Sequence, residues 1–413
     1  MTEVNLGERW LLAGSVFTPG SPVSERDLFA GRKVQITTIM EAVSQKGFHA
    51  VLYGDRGVGK TSLANVLSAF LQEVGATVLF VRANCDATDD FSSLWRKVLR
   101  EIRILEVREA FGFSTTQRES YRRLIDTLPD QLRPDDIRQA LALVSQSAML
   151  VAAIDEFDRL TDSNVSALIA DTVKALSDAA VPATVILIGA ADSVDQLIEG
   201  HRSIERSLVQ VPMPRMSTAE TEQIVLKGLE RLKMTVTKEA LAEIVRLSQG
   251  LPYVTHMLSL YSARAALIDD KQLTISASAV QAGIQKALDQ WQASIKAAYY
   301  GATRSHQPDH LYKEVLLACA LADVDDKSFF TAAAVRGPLR VVAERPDLDI
   351  PNFSRHLKEM SEERRGCILL REGETRRLRY RFVNPLMRPY VIMRGVADGL
   401  LTLEKRSIIT SSP

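Results

Sequence analysis

Cysteine is scarce, and its three residues, Cys85, Cys319 and Cys367, lie far apart without a CxxC pair. That excludes a disulfide framework and a cysteine zinc site, and a reducing compartment is the simplest setting. The six histidines form no HExxH pair. Charge of one sign is not in excess, because 51 basic residues face 51 acidic ones. A uniformly basic nucleic-acid coat is thereby excluded, although a local basic patch is not. The opening MTEVNLGERW lacks the basic start and apolar core of a signal peptide. The longest apolar runs, such as Met149–Ile154, fall well short of the ~18 residues a membrane helix needs. We read a cytoplasmic chain with no membrane partner. Repeats and low-complexity tracts are also missing. What remains is ordinary for a globular protein: 413 residues, 46% hydrophobic and 25% charged, with room for about three domains.

Pro19 and Pro22, among Gly, Ser and Thr, make residues 1–30 an expected extended lead-in. From Gly31 to residue 214, short apolar runs alternate with helical spacing. HAVLYG, ATVLFVRANC, AMLVAAIDEFD and ATVILIGAAD read as strands, and SLANVLSAFLQEVG, FSSLWRKVLREIRIL and VSALIADTVKALSD as helices. That alternation predicts a parallel α/β sheet. Residues 112–135, polar and carrying Pro129 and Pro134, read as a surface excursion that contains a helix. Residues 215–290 lose the strand signal. Four short helices are expected there, the first opened by an S-x-x-E capping box at Ser217 and Glu220. Over 291–413, three helices followed by two strands around Gly373 give the order of a winged helix.

Gly54-Asp-Arg-Gly57-Val-Gly59-Lys60-Thr61 satisfies GxxxxGK[ST] between a strand and a helix. Glycines allow successive N–H groups to point at phosphate oxygens, and the helix start adds partial positive charge. Gly54, Gly57, Gly59, Lys60, Thr61 and the adjoining Ser62 are therefore the expected phosphate site. Lys60 reaches the β- and γ-phosphates of ATP, and the Thr61 hydroxyl ligates Mg²⁺. Downstream, LVAAIDEFD sets Asp155 and Glu156 at the carboxyl edge of the sheet. Asp155 is expected to hold the hydrated metal, and Glu156 to orient or deprotonate a water. Asp158 and Arg159 read as a helix-start salt bridge. His256 and His356 read as packing or surface residues.

With GDRGVGKTS and DEFDRL in place, the chain resembles an AAA+ ATPase over roughly residues 25–400. It is most similar to the initiator (origin-recognition-like) clade and the allied STAND ATPases. The resemblance implies a P-loop α/β domain, a helical lid and a C-terminal winged helix, with ATP and Mg²⁺ bound. Phe29-Ala30-Gly31-Arg32 resembles the entry motif, which implies that Arg32 lies beside the adenine. ILIGAADSV resembles the sensor strand and puts Asp192 where initiator relatives have Asn. An ionised carboxylate only accepts hydrogen bonds, which argues against γ-phosphate sensing by Asp192 and leaves Ser193 as its substitute. Gly250-Leu-Pro252 is similar to the GxP motif of STAND ATPases, and it reads equally as a helix stop and restart. Arg206, and less so Arg202, sits where a trans-acting arginine finger would lie.

Two functions stay open. One is an ATP-dependent switch that hydrolyses ATP slowly, with partner stimulation, and couples nucleotide state to lid and winged-helix position and to self-assembly. The other is a DNA-binding assembly factor of replication or transposition type, using the winged helix. Seven arginines between 364 and 381, with Arg377, Arg379 and Arg381 at two-residue spacing, bear on the second. Intact Lys60, Thr61, Asp155 and Glu156 disfavour an inactive scaffold.

Overall fold

The computed structural model describes residues 6–23, 26–73, 78–108, 118–191, 194, 202–269, 271–305, 310–374 and 377–411. It divides into two compact units, one made of residues 22–214 and the other of residues 1–21 with 215–413.

The chain opens with α1 (Leu6–Val16), which belongs to the second unit. A helix thus stands where an extended lead-in is expected. Pro19 and Pro22 act only after it ends. Within the first unit, α2 (Lys33–Ser44) leads into β1 (His49–Gly54), α3 (Lys60–Glu73) and β2 (Val78–Asn84). Next comes α4 (Phe91–Leu99), whose start is capped by Asp90 and Ser93 in a reciprocal box. The helix expected to run on through Leu105 stops there. Residues Arg103–Arg108 form β3, an antiparallel partner of β4 (Arg118–Arg123). The tip between these strands lies outside the described residues. α5 (Pro134–Val144), β5 (Met149–Asp155), α6 (Ser163–Asp178), β6 (Ala183–Ala190) and β7 (Leu208–Pro212) complete the unit.

Five strands form one parallel sheet in the order β2-β5-β6-β1-β7. β5 and β6 are buried almost throughout, as expected for strands with helices on both faces. Ile154, Leu187 and Val51 on neighbouring strands share a core with Trp95, Leu141 and Ile169 from the covering helices. The order aligns the carboxyl ends of β1 and β5, with β6 between them. That is the α/β sheet predicted from the sequence.

The second unit packs α1 with α7 (Thr218–Leu232), α8 (Lys238–Ser248), α9 (Pro252–Ile268) and α10 (Ala277–Gln290). The expected capping box is present: Ser217 N donates to Glu220 Oε2 at 3.0 Å, and Glu220 N to Ser217 Oγ at 3.3 Å. A two-strand parallel pair, β8 (Thr235–Val236) with β9 (Thr274–Ile275), is too short to read from sequence. α1 is anchored by Arg9, which donates to the carbonyls of Leu232 and Lys233 at the end of α7. Trp10 lies under the Arg264 guanidinium on α9, 4.0 Å from ring centre to carbon. Then follow α11 (Ala293–Thr303), α12 (Tyr312–Leu321), β10 (Phe330–Thr331), α13 (Ala332–Val342), α14 (Ile350–Met360), β11 (Leu369–Glu372), β12 (Arg379–Phe382), α15 (Met387–Ala397) and α16 (Leu403–Ser411). β10, β12 and β11 form a small antiparallel sheet in that order. No helix among the described residues is long and apolar enough to cross a membrane.

Each unit buries a neutral histidine. His49 on β1 accepts from Val185 N through Nδ1 at 3.0 Å, and His256 on α9 meets the Phe17 ring edge-on. Burial lowers both from 6.5 to about 4. The unfolded chain therefore binds protons first as pH falls below 6.5, and the stability present at neutral pH declines toward pH 4. Equilibrium unfolding between pH 7 and 5 is expected to show a loss on the order of 1–3 kcal/mol. His49→Asn, which keeps an acceptor for Val185, is expected to flatten that slope for the first unit. An unchanged slope in the variant would remove His49 as its source.

Candidate functional site

β1 ends at Gly54, and α3 begins at Lys60, so the intervening loop must reverse over five residues at the sheet's carboxyl edge. Gly54, Gly57 and Gly59 adopt φ of +148°, +83° and +95°, which side-chain-bearing residues rarely adopt. At Gly54 a Cβ would also lie 2.4 Å from the Met213 carbonyl oxygen. Only glycine fits there.

The Lys60 ammonium folds back into this loop and donates to the carbonyls of Gly54 and Asp55, both at 2.8 Å. Burial lowers its pKa to about 8, against the opposing pull of Asp158, Asp155 and Asp55. A half-buried ammonium whose hydrogen bonds go to neutral carbonyls is suited to trade them for phosphate oxygens. The loop therefore fits a polyphosphate. Thr61 occupies the first turn of α3, and Ser62 beside it accepts from Val23 N at 3.1 Å.

Asp155 closes β5 with its side chain only 3% exposed. Its Oδ1 accepts from Glu156 N at 2.8 Å, and Oδ2 pairs with Arg82 Nη2 at 2.9 Å. The Asp155 carboxylate and the Thr61 hydroxyl are hard oxygen donors of the kind Mg²⁺ takes. Glu156 is left-handed, with φ of +56°, an uncommon conformation for a non-glycine residue that turns the chain sharply after β5. Its carboxylate, 46% exposed, pairs with Arg159 at 2.8 Å.

The expected Asp158–Arg159 bridge is not the pairing found. Arg159 takes Glu156, and Asp158 accepts from Ala190 N at 2.8 Å while its other oxygen pairs with Arg56 of the loop at 3.3 Å. Asp158 thus ties β6 to the phosphate loop. Arg32 is buried and left-handed, with φ of +62°. Its guanidinium donates to the carbonyl of Val58 in the loop at 2.9 Å and to that of Pro214 at 2.7 Å. These contacts make it a brace beneath the loop. Arg82 is marked by no motif in the sequence, and for Asp158 and Arg32, which lie within motifs, the partners found here are not readable from it.

Arg206 lies at the surface, its side chain 81% exposed and 3.5 Å from Asp178. Asp192 and Ser193 lie outside the described residues, as does the side chain of Arg202. Gly250 and Pro252 belong to the second unit. Gly250 has φ of +70° with a Cβ position 2.5 Å from the Met216 oxygen, and Pro252 opens α9. That is the geometry of a helix stop and restart.

A family model described as novel STAND NTPase 1 matches residues 22–336. No curated protein matches the chain in sequence. Among solved structures, the Walker-type ATPase PABY2304 of Pyrococcus abyssi is similar at a TM-score of 0.52 and 14% identity, over 92% of this chain and 99% of that one. The ORC2 protein of Aeropyrum pernix, solved as ADPNP–ADP complexes, is similar at 0.50 and 12%, over 96% and 97%. At such identities the likeness concerns the fold, which is that of a P-loop NTPase.

Arg32→Ala is expected to lower the stability of the first unit by on the order of 2–4 kcal/mol, because the Val58 and Pro214 carbonyls lose their charged donor. Arg32→Lys, lacking the planar fork, is expected to rescue only part of it. Thermal melting of both variants checks this. Equal melting temperatures for wild type and Arg32→Ala would show that the brace bears no load.

Proposed function

The chain belongs to the novel STAND NTPase 1 family, and from that footing we propose that it is an ATP-driven molecular switch with slow hydrolysis. The observation behind the proposal is the Arg32 brace. It joins the phosphate loop at Val58 to Pro214, the last residue before the chain enters the second unit. The Met213 amide adds a bond to Tyr53 O at 2.7 Å, one residue before the loop. A loop that reshapes around ATP pulls on the same segment that leads to residues 215–413. A ligand shifts a conformational equilibrium only through such differential contact.

In this reading Lys60 and the loop amides bind the β- and γ-phosphates, and Thr61 and Asp155 hold Mg²⁺. The metal supplies positive charge against the phosphate oxygens. Glu156 accepts a proton from the water that attacks the γ-phosphorus as the ADP oxygen leaves. Its ion pair with Arg159 must open first. Both partners are about half exposed, so the pair opens at little cost, and a protein effector, or a second copy, that takes Arg159 would stimulate turnover. Arg206, exposed and only weakly paired, is available to complete a neighbouring copy's site in an ATP-bound assembly, with Ser193 in place of Asp192 as the sensor within each chain.

DNA binding through the C-terminal helices and hairpin is a second reading. Exposed Lys358, Arg364, Arg371 and Arg377 favour it. Against it, Arg379 pairs with Glu372 and Asp325, Arg355 with Glu359, and Arg381 stacks on Phe329. Arg376 lies outside the described residues.

Lys60→Ala is expected to weaken MgATP binding by about a hundredfold or more, since it deletes one partner of a buried charged contact. Glu156→Gln is expected to bind ATP normally and lose about 10²–10⁴-fold in turnover. Calorimetry and phosphate release measure the two. ATP affinity unaffected by the lysine change would end the assignment.

Mass measurement with ATP, ADP and no nucleotide, with and without duplex DNA at low salt, tests assembly. ATP is expected to raise the mass. Arg206→Ala mixed with Glu156→Gln is expected to recover turnover that neither has alone. A protein that stays monomeric with ATP, at a turnover per chain independent of concentration, would exclude the trans role. A DNA-dependent shift that falls with salt would favour the second reading.

A further inference from the structure

Arg82 has no part in the chemistry above, yet it holds the metal-binding carboxylate. It lies on β2, where the parallel register sets Asn84 beside Asp155. The Arg82 side chain runs along the sheet edge, three-quarters buried. Nη2 contacts Asp155 Oδ2 at 2.9 Å and Asn84 Oδ1 at 3.1 Å, and Nη1 donates to Asn65 Oδ1 on α3. Asn65 follows Thr61 by one helical turn and therefore shares its face of α3. The guanidinium thus bridges Asp155 and the face of α3 that also carries Thr61. Asp155 Oδ1 is committed to the Glu156 amide, so Oδ2, the oxygen open to a metal or its water, is the one Arg82 grips. Arg82 Nε is buried and has no hydrogen-bond partner among the described residues.

Building on the nucleotide-site reading, we propose that Arg82 is a resident counter-ion for Asp155 and competes with Mg²⁺ for its Oδ2. A carboxylate this buried needs a cation beside it. Without metal the guanidinium provides that charge. When the metal arrives, two cations cannot share one oxygen without mutual repulsion. Arg82 then yields Oδ2 and falls back on the amide oxygens of Asn65 and Asn84, which lie within its present reach. Metal loading is therefore penalised by the fraction of chains in which Arg82 still holds the carboxylate. Nucleotide can enter without metal, and Mg²⁺ follows as a separate, weaker step.

The test titrates Mg²⁺ into the full-length protein with fluorescent mant-ADP, and repeats the binding in EDTA. Mn²⁺ paramagnetic resonance gives the metal affinity independently. Arg82→Gln keeps a hydrogen bond to Asn65 without the charge. It is expected to lower the half-saturating Mg²⁺ and Mn²⁺ concentrations by about tenfold, while mant-ADP affinity in EDTA stays within about twofold. Its nucleotide-free melting temperature is expected to fall, because Asp155 loses its counter-ion. Arg82→Lys, which keeps the charge and tolerates the fold if the glutamine variant does not, is expected to give an intermediate metal affinity. Half-saturation equal to or higher than wild type in either folded variant, with EDTA binding intact, would overturn the competition and leave Arg82 as a structural support of Asp155. A wild-type protein that binds no mant-ADP with or without metal would overturn the nucleotide site itself, and the competition with it.

Discussion

One buried guanidinium sets the terms for the rest of the nucleotide unit. Arg32 gives up solvent and an ordinary backbone conformation to hold two carbonyls, one inside the phosphate loop and one at the end of the segment following β7. A loop with three glycines at positive φ has little intrinsic preference for a single shape. Hydrogen bonds restrain it: from Arg32 to the Val58 carbonyl, and from Lys60 to the carbonyls of Gly54 and Asp55. Through Arg32 the loop and Pro214 share one hydrogen-bond donor.

Acidic side chains at the carboxyl edge are each paired with an arginine. Asp155 has Arg82, Glu156 has Arg159, and Asp158 has Arg56. The three pairs differ in depth, and the difference matters. Glu156 and Arg159 are both about half exposed, so their pair is weak and easily opened. The Asp155 pair is nearly enclosed, and breaking it without replacement would strand a buried charge. The two carboxylates therefore differ in what it costs to part them from their arginines: much for Asp155, little for Glu156.

Much of this was legible in the sequence because it is local. The loop, the acid pair after an apolar strand, the strand–helix alternation and the Ser217 capping box each lie within a short window. The misreadings share a cause as well. The helical pattern of FSSLWRKVLREIRIL continues past Leu99, but pairing with Arg118–Arg123 draws Arg103–Arg108 into a strand. Arg82 and Asp155 are 73 residues apart and meet only through the β2–β5 register. Arg32 and Pro214 are 182 apart. Asp158 and Arg159, adjacent in sequence, looked like partners of each other, and the left-handed turn at Glu156 points them to different ones.

The placement of α1 has a consequence for how the chain is made. The helix packs against α7 and α9, yet about two hundred residues separate its end from the start of α7. On the ribosome it emerges long before its partners exist, and Ala13, Val16 and Phe17, buried in the finished protein, must wait uncovered. The residues translated in the interval form the nucleotide unit, whose sheet and core are self-contained. That unit can fold at once while the first helix idles as a short segment of marginal stability, open to a chaperone or a protease. The order of synthesis therefore gives this protein a nascent interval in which residues 22–214 have been made and the second unit has not yet closed around its first helix.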